Sequence, residues 1–285
     1  MQKIWVCGAR GQIGQAVNDV VDKLEFEMLD TDVDDLDVTD TDEVLRFGEM
    51  NRPDIIINCS GMTDISSCEE NPSQAFKVNA LGARNLAIVA AKMQAKMVQL
   101  STDDVFDGKS TEPYTEFDIT NPGTVYGKSK LAGENYVKEF TTKHFIVRST
   151  WVYGKGQNFI NGFLKKVDAG EQLSIASDQF GSPTSANELA RFLLHLVHPS
   201  EYGTYHATNK GVCSRYAFAQ EILKMTGKTA SMQPVPTVMS DFSKVRPAYA
   251  VLDNFIMSMV PIYDFPDWQD SLREYLEERG LYHAE

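Results

Sequence analysis

A doubly wound α/β fold, with a parallel sheet covered on both faces and a smaller C-terminal lobe, is predicted by three observations. Short apolar runs alternate with amphipathic helical patterns as far as residue 150. A glycine-rich turn, Gly8-Ala9-Arg10-Gly11-Gln12-Ile13-Gly14, joins the first apolar run to the first helical one. The third run contains Ile55-Ile56-Ile57, apolar without interruption, as expected of a strand buried on both faces. With 285 residues, 42% of them hydrophobic, the chain has ample core for such a fold, and disorder is excluded.

Lys3–Cys7 reads as the first strand, and Ala16, Val17, Val20, Val21 and Leu24 as the apolar face of the helix after the turn. Strand, glycine turn and helix make the phosphate cradle of a Rossmann-like dinucleotide fold. The glycines admit a pyrophosphate to the backbone, and the helix N-terminus offers N–H groups and a positive dipole. The spacing is G-x-x-G-x-x-G, one residue longer than G-x-G-x-x-G. Phe26–Asp30 is the second strand, and Asp30 at its end suits an adenosine ribose hydroxyl and repels a 2′-phosphate. Arg10 is a cation able to answer such a phosphate, so NADH and NADPH both stay open. The run Asp30, Asp32, Asp34, Asp35, Asp37 imitates a calcium loop, but Asp35 and Thr41 stand where the turn glycine and bidentate glutamate belong, so it reads as a solvated loop.

Thr39 or Asp40 caps a helix through Glu49, and Pro53–Asn58 is the third strand, delivering Cys59-Ser60-Gly61-Met62-Thr63 to the carboxyl edge. Asn71-Pro72 starts a helix through about Ala91, in which Asn79 makes a helix–helix hydrogen bond or holds a water. Lys96–Leu100 is the fourth strand and brings Ser101-Thr102-Asp103 to the same edge; Phe145–Arg148 is the fifth. Beyond it the pattern loosens into helices over Asn158–Asp168, Ala186–Val197, Arg215–Met225 and Trp268–Arg279 and a strand over Tyr202–Ala207, interrupted by prolines. Residues 1–150 are expected to form the dinucleotide-binding domain. Residues 151–285 are expected to form a lobe that closes a substrate cleft over the sheet's open edge, with elements packing back on the first domain.

The chemistry centres on Asn121–Glu134, NPGTVYGKSKLAGE, where Tyr126 and Lys130 stand four apart at the start of a helix and so leave the same face. A phenol trading protons near neutral pH needs its pKa, about 10 when unperturbed, brought down, and a fixed ammonium close by does that. Thr102, after the fourth strand, offers a hydroxyl to share the reacting oxygen. Either motif alone arises often as ordinary helix face or cap.

The balance of 27 basic against 40 acidic residues, a net charge of -13, argues against nucleic acid or anionic membrane as a partner. The start at Met1 runs directly into a strand, and no apolar run approaches the roughly 18 residues of a membrane span. A soluble cytoplasmic protein is expected. Cys7, Cys59, Cys68 and Cys213 lack C-x-x-C spacing and read as reduced thiols, with no metal or disulfide.

Together with STDDVFDG (Ser101–Gly108), RSTWVYG (Arg148–Gly154) and DQFGSPT (Asp178–Thr184), these motifs resemble the dTDP-4-dehydrorhamnose reductase family of the extended short-chain dehydrogenase/reductase superfamily. The resemblance runs from about Lys3 into the C-terminal lobe. It implies Thr102, Tyr126 and Lys130 as the catalytic trio, and a nicotinamide cofactor, NADPH or NADH. That cofactor would be held by Gly11, Gln12 and Ile13, by Asp30, by Asp37-Val38 and by Ser60-Gly61-Met62, with Leu100 beneath the nicotinamide. It implies a nucleotide-sugar substrate contacted by Thr102, Asp103 and Trp151. Asn158 and Arg246 are assigned to the nucleotide or pyrophosphate, the arginine because a polyanion in an acidic protein needs a bidentate cation. Asp104 replaces the family's usual tyrosine and is expected to set a negative charge near the anionic substrate. Some members dimerise through magnesium held by glutamates; Glu188 matches one such position but Ala16 occupies the other, so that metal site is not carried over, and a homodimer stays open.

The implied reaction is reduction of the C4 ketone of a dTDP-4-dehydro-6-deoxyhexose, dTDP-4-dehydro-L-rhamnose giving dTDP-L-rhamnose. Two other readings share the scaffold. One is a nucleotide-sugar epimerase or dehydratase, whose acid/base pair Asp103-Asp104 only partly imitates. The other is a non-catalytic regulatory subunit like that of methionine adenosyltransferase, which the intact trio disfavours.

Overall fold

Five of the apolar runs become strands β1 (Gln2–Cys7), β2 (Phe26–Thr31), β3 (Ile55–Asn58), β4 (Lys96–Thr102) and β5 (His144–Ser149) in a computed structural model, which describes residues 1–198, 200–239 and 247–283. A sixth strand, Gly203–His206, pairs with β5, and all pairings are parallel. From the Gly203–His206 edge the order runs through β5, β4, β3 and β1 to β2. The chain therefore reverses its direction of winding between β1 and β3, and a crevice opens at their carboxyl ends.

Strand alternation divides the core between two faces. Ile4 and Val6 of β1 join Val17 of helix α1 (Gln12–Val20) and Leu189, Phe192 and Leu193, which fall on a later helix introduced below. Trp5 and Cys7 join the opposite layer, which includes Val44 of α2 (Thr41–Asn51). A short helix α3 (Ile65–Glu70) precedes residue 71, and the helix expected after it is α4 (Pro72–Phe76), a π-helical stretch, Lys77–Gly82, and then α5 (Ala83–Met93). Asn79 lies in that stretch, and the extra backbone residue per turn marks where its side chain leaves the regular ladder. Leu86 and Val89 of α5 and Val137 of α6 (Val125–Phe140) complete the second layer.

The later residues build a separate apolar cluster. Ile160, Phe163 and Leu164 of α7 (Phe159–Asp168) pack with Tyr153, Phe218 and Leu272. Helix α8 (Ala186–Leu196) is the one that covers α1, while Phe218 belongs to α9 (Arg215–Thr226). No described helix is long and apolar enough to cross a membrane. All four cysteines are free.

Candidate active site

Gly8 ends β1 with φ +75°, and a Cβ there would lie 2.8 Å from the Ser60 backbone nitrogen and 2.9 Å from the Cys59 carbonyl carbon. Only glycine lets the two strand ends approach so closely. A Cβ on Gly14 would strike the Gly8 carbonyl and Ala9, so this third glycine packs α1 against the turn. The result is a cleft of about 530 Å³ lined by Gly8, Arg10, Gly11, Asp37, Val38 and the Ser60-Gly61-Met62 turn. The turn itself is fixed by Asn79, whose Oδ1 accepts from the Met62 N–H (2.8 Å) and whose Nδ2 donates to the Met62 carbonyl (2.9 Å) and to Ser129 of α6 (2.8 Å). Backbone amides at a glycine turn, a helix N-terminus and a Gln12 Oε1 that is buried with no hydrogen-bond partner are features a dinucleotide would satisfy. Gly8→Ala should weaken dinucleotide affinity by roughly tenfold or more, since strain at such a backbone costs on the order of 1–3 kcal/mol. Titration of reduced cofactor by its fluorescence checks this, and unchanged affinity would contradict it.

Asp30 is not in that lining. β2 runs one residue further than the sequence suggested, to Thr31, and alternation leaves Asp30 exposed while Thr31 turns in to accept from the Trp5 indole (2.8 Å). The acid that follows β2 into the cleft wall is Asp32, whose carboxylate accepts from the Arg10 N–H (2.8 Å).

A second cleft, of about 440 Å³, shares Gly11, Cys59, Ser60 and Gly61 with the first and contains Gln12, Ile13, Leu100, Thr102, Asp103, Tyr126, Lys130, Trp151 and Asn158 in its walls. Thr124 caps α6 by accepting from the Gly127 N–H (3.0 Å), which puts Tyr126 and Lys130 on successive turns of one face. Lys130 is buried, and its Nζ donates to the Leu100 carbonyl (2.6 Å). Burial pushes its pKa down to about 8, against Glu134 and Cys59, which favour the charged form. Burial likewise pushes the Cys59 thiol up to about 12. The Thr102 hydroxyl donates to Asp103 Oδ1 (2.9 Å), and Asp103 Oδ2 accepts from Thr150 (2.9 Å).

Asp104 stands next to the cleft wall. It does not line the cleft; it is buried in a short 3-10 turn (Asp103–Val105), its N–H donating to Thr102 Oγ1 (3.2 Å). Its Oδ2 accepts from the Thr102 hydroxyl (3.4 Å), so its charge stays beside a residue of the cleft wall. Trp151 does face the cleft, at φ +47°, with its indole against Gly181, where a Cβ would come within 2.6 Å of the ring. Asn158 is at the wall but committed at both ends: it caps α7, accepting from the Asn161 N–H (3.0 Å), and donates to the Gly154 carbonyl (2.6 Å). Arg246 lies outside the described residues. Glu188 is occupied internally, paired with Arg191 and accepting from Tyr263 (2.9 Å).

The family model for the RmlD substrate binding domain matches residues 1–280. The chain belongs to the RmlD family. Within it, the spore coat polysaccharide biosynthesis protein SpsK of Bacillus subtilis is 36% identical, over 98% of this chain and 99% of that one. A solved dTDP-4-dehydrorhamnose reductase from Clostridium acetobutylicum is 40% identical with a TM-score of 0.95, covering 98% and 100% of the two chains. Another, from Bacillus anthracis and solved in complex with NADP, is 35% identical with a TM-score of 0.94, covering 98% and 99%. The family resemblance read from the motifs is borne out, as is the Rossmann-like parallel sheet.

Beside the residues that the RmlD motifs name, two that sequence reasoning passed over bear on the site, one behind its wall and one in it. Glu134 is fully buried one turn beyond Lys130 and receives Ser101 (2.6 Å) and both Arg148 Nε (2.9 Å) and Nη2 (2.7 Å). Its signal was the spacing Tyr126, Lys130, Glu134, three polar residues on one helical stripe. Arg215 lies in the wall of the second cleft with its guanidinium 3.4 Å from the Trp151 ring centroid. An arginine at the first position of a helix opposes the dipole, which was the available hint that something else holds it there.

Proposed function

We propose that the protein uses NADPH or NADH to reduce the C4 ketone of a dTDP-4-dehydro-6-deoxyhexose, turning dTDP-4-dehydro-L-rhamnose into dTDP-L-rhamnose. The observation that carries this reading is the meeting of Thr102, Tyr126 and Lys130 in one cleft continuous with the glycine-turn cleft, in a chain of this family. The glycine turn, Gln12 and the Ser60-Gly61-Met62 turn would hold the dinucleotide, which when bound supplies the hydride. Tyr126 gives its phenolic proton to the ketone oxygen as that oxygen gains charge. Thr102 supports the same oxygen once its hydroxyl rotates away from Asp103. Lys130, as an ammonium, stabilises the phenolate left behind. Trp151 and Asp103 would contact the sugar, and Asn158 and Arg246 are assigned to the nucleotide or pyrophosphate. Residues 1–150 act as the cofactor half and 151–285 as the substrate half. Four free thiols, three of them buried, suit a cytoplasmic setting.

Against a dehydratase, Asp103 is bonded to Thr102 and Thr150 and Asp104 is turned inward, so no free acid/base pair faces the cleft. Incubation with dTDP-4-dehydro-L-rhamnose and reduced cofactor should oxidise one cofactor per dTDP-L-rhamnose formed. Conversion without net cofactor loss, or no conversion, would sink the reading.

Turnover should decline as pH rises through about 8, because Lys130 is protonated below that value and neutral above it. The kcat–pH profile checks this: a rate held level up to the ordinary lysine value of 10.5 would contradict it.

A further inference from the structure

We propose that this chain selects the nicotinamide dinucleotide that lacks a 2′-phosphate. The inference rests on the dinucleotide reading above and concerns the adenosine end of the first cleft. Among the described residues lining that cleft Arg10 is the one cation, and it is already engaged. Its guanidinium pairs with Asp34 (3.1 Å) and Asp35 (2.7 Å), and the Asp35 carboxylate also accepts the Asp32 N–H (3.0 Å). The arginine thus lines the cleft already paired with two carboxylates of the acidic turn.

Asp32 follows β2 directly, the place at which doubly wound folds meet the adenosine ribose. Its Oδ1 accepts from the Val33 N–H (2.9 Å) and its Oδ2 from the Arg10 N–H (2.8 Å). Each oxygen keeps a second lone pair, which suits a ribose hydroxyl and gives nothing to a phosphate. Val33, next in the lining, has an apolar side chain, and Asp37 adds another carboxylate to the wall. Two carboxylates therefore pair with the one guanidinium and two more, Asp32 and Asp37, line the same cleft, in a chain whose net charge is -13. Each exposed ion pair here is individually weak. The discrimination comes from the summed field at the cleft mouth, and for that reason it must be screened by salt.

The test needs no sugar substrate. Dissociation constants of NADH and NADPH are measured on the cofactor-free protein by cofactor fluorescence, at low and at high ionic strength. NADH should bind about tenfold tighter at low salt, with the gap narrowing as salt rises. Replacing the arginine's partners together, Asp34→Asn with Asp35→Asn, should tighten NADPH about threefold or more and leave NADH unchanged. Asp32→Asn, which removes charge but keeps an acceptor, should shrink the ratio. A wild-type ratio below about fivefold, a gap indifferent to salt, or a double variant with wild-type NADPH affinity overturns the proposal. Failure is separable from that of the functional reading. Equal binding of the two cofactors with keto-sugar turnover sinks only the selectivity, whereas selective binding with no turnover sinks only the reductase.

Discussion

Tyr126→Phe is expected to lower reductase turnover by roughly 10²- to 10⁴-fold, the usual worth of a positioned general acid. Dinucleotide affinity should stay at the wild-type level. Tyr126 is a buried member of a small apolar cluster with Ile65, Cys68 and Ala75. A tyrosine kept for that packing alone would lose little on becoming phenylalanine, which fills the same space. The substitution therefore separates the packing of the ring from the chemistry proposed for the oxygen. Stability should change by no more than about 1 kcal/mol, the net worth of one hydroxyl's hydrogen bond. Steady-state kinetics with a saturating keto sugar, beside urea unfolding of the same protein, provide the check. A phenylalanine variant with wild-type kcat would remove Tyr126 from the mechanism.

Most of this arrangement could be read from local sequence, because the residues concerned sit at the ends of strongly patterned elements. The glycine turn, the isoleucine run of β3 and the Tyr126–Lys130 spacing are each short-range signals, and each fell at the carboxyl edge as expected. What escaped depended on a single residue of register or on distant neighbours. The sequence pattern ends β2 at Asp30, whereas the strand runs on to Thr31, and it is Asp32 beyond it, not Asp30, that lines the glycine-turn cleft. Asp104, in place of the family's usual tyrosine, was expected to set a negative charge near the substrate; the 3-10 turn buries it just outside the cleft wall, with Oδ2 3.4 Å from Thr102 Oγ1, a placement local sequence does not show. The π-helical stretch around Asn79 is likewise set by a partner far along the chain, the Met62 turn 17 residues away, and no propensity marks it. The Gly203–His206 strand was legible as a strand, but its place beside β5 was not, because parallel pairing is decided by long-range packing.

Glu134→Ala should destabilise the fold by about 3–5 kcal/mol, the cost of stripping one partner from a buried ion pair. Arg148 is buried, its Nη1 has no hydrogen-bond partner, and its other two nitrogens both spend their bonds on Glu134. Without the glutamate its charge is left beside the Phe106 ring, 5.3 Å away, and His206, whose pKa is pushed down to about 3 by burial and then by Arg148 itself. Neither neighbour can accept the charge. Ser101 also loses its acceptor, and this matters for the chemistry because Ser101 stands between the Leu100 carbonyl that receives Lys130 and the Thr102 hydroxyl. Glu134 thus pins α6 to β4 and β5 beside the reacting groups. It also favours the ammonium form of Lys130, so in any folded variant lacking it the alkaline fall in turnover should begin at a lower pH. Urea denaturation of Glu134→Ala, and of Glu134→Leu combined with Arg148→Met, measures the pair. Removing both charges should recover much of the loss, because well-packed apolar residues replace a buried ion pair at little cost. A single variant within about 1 kcal/mol of wild type would show that the pair contributes no more than an exposed one.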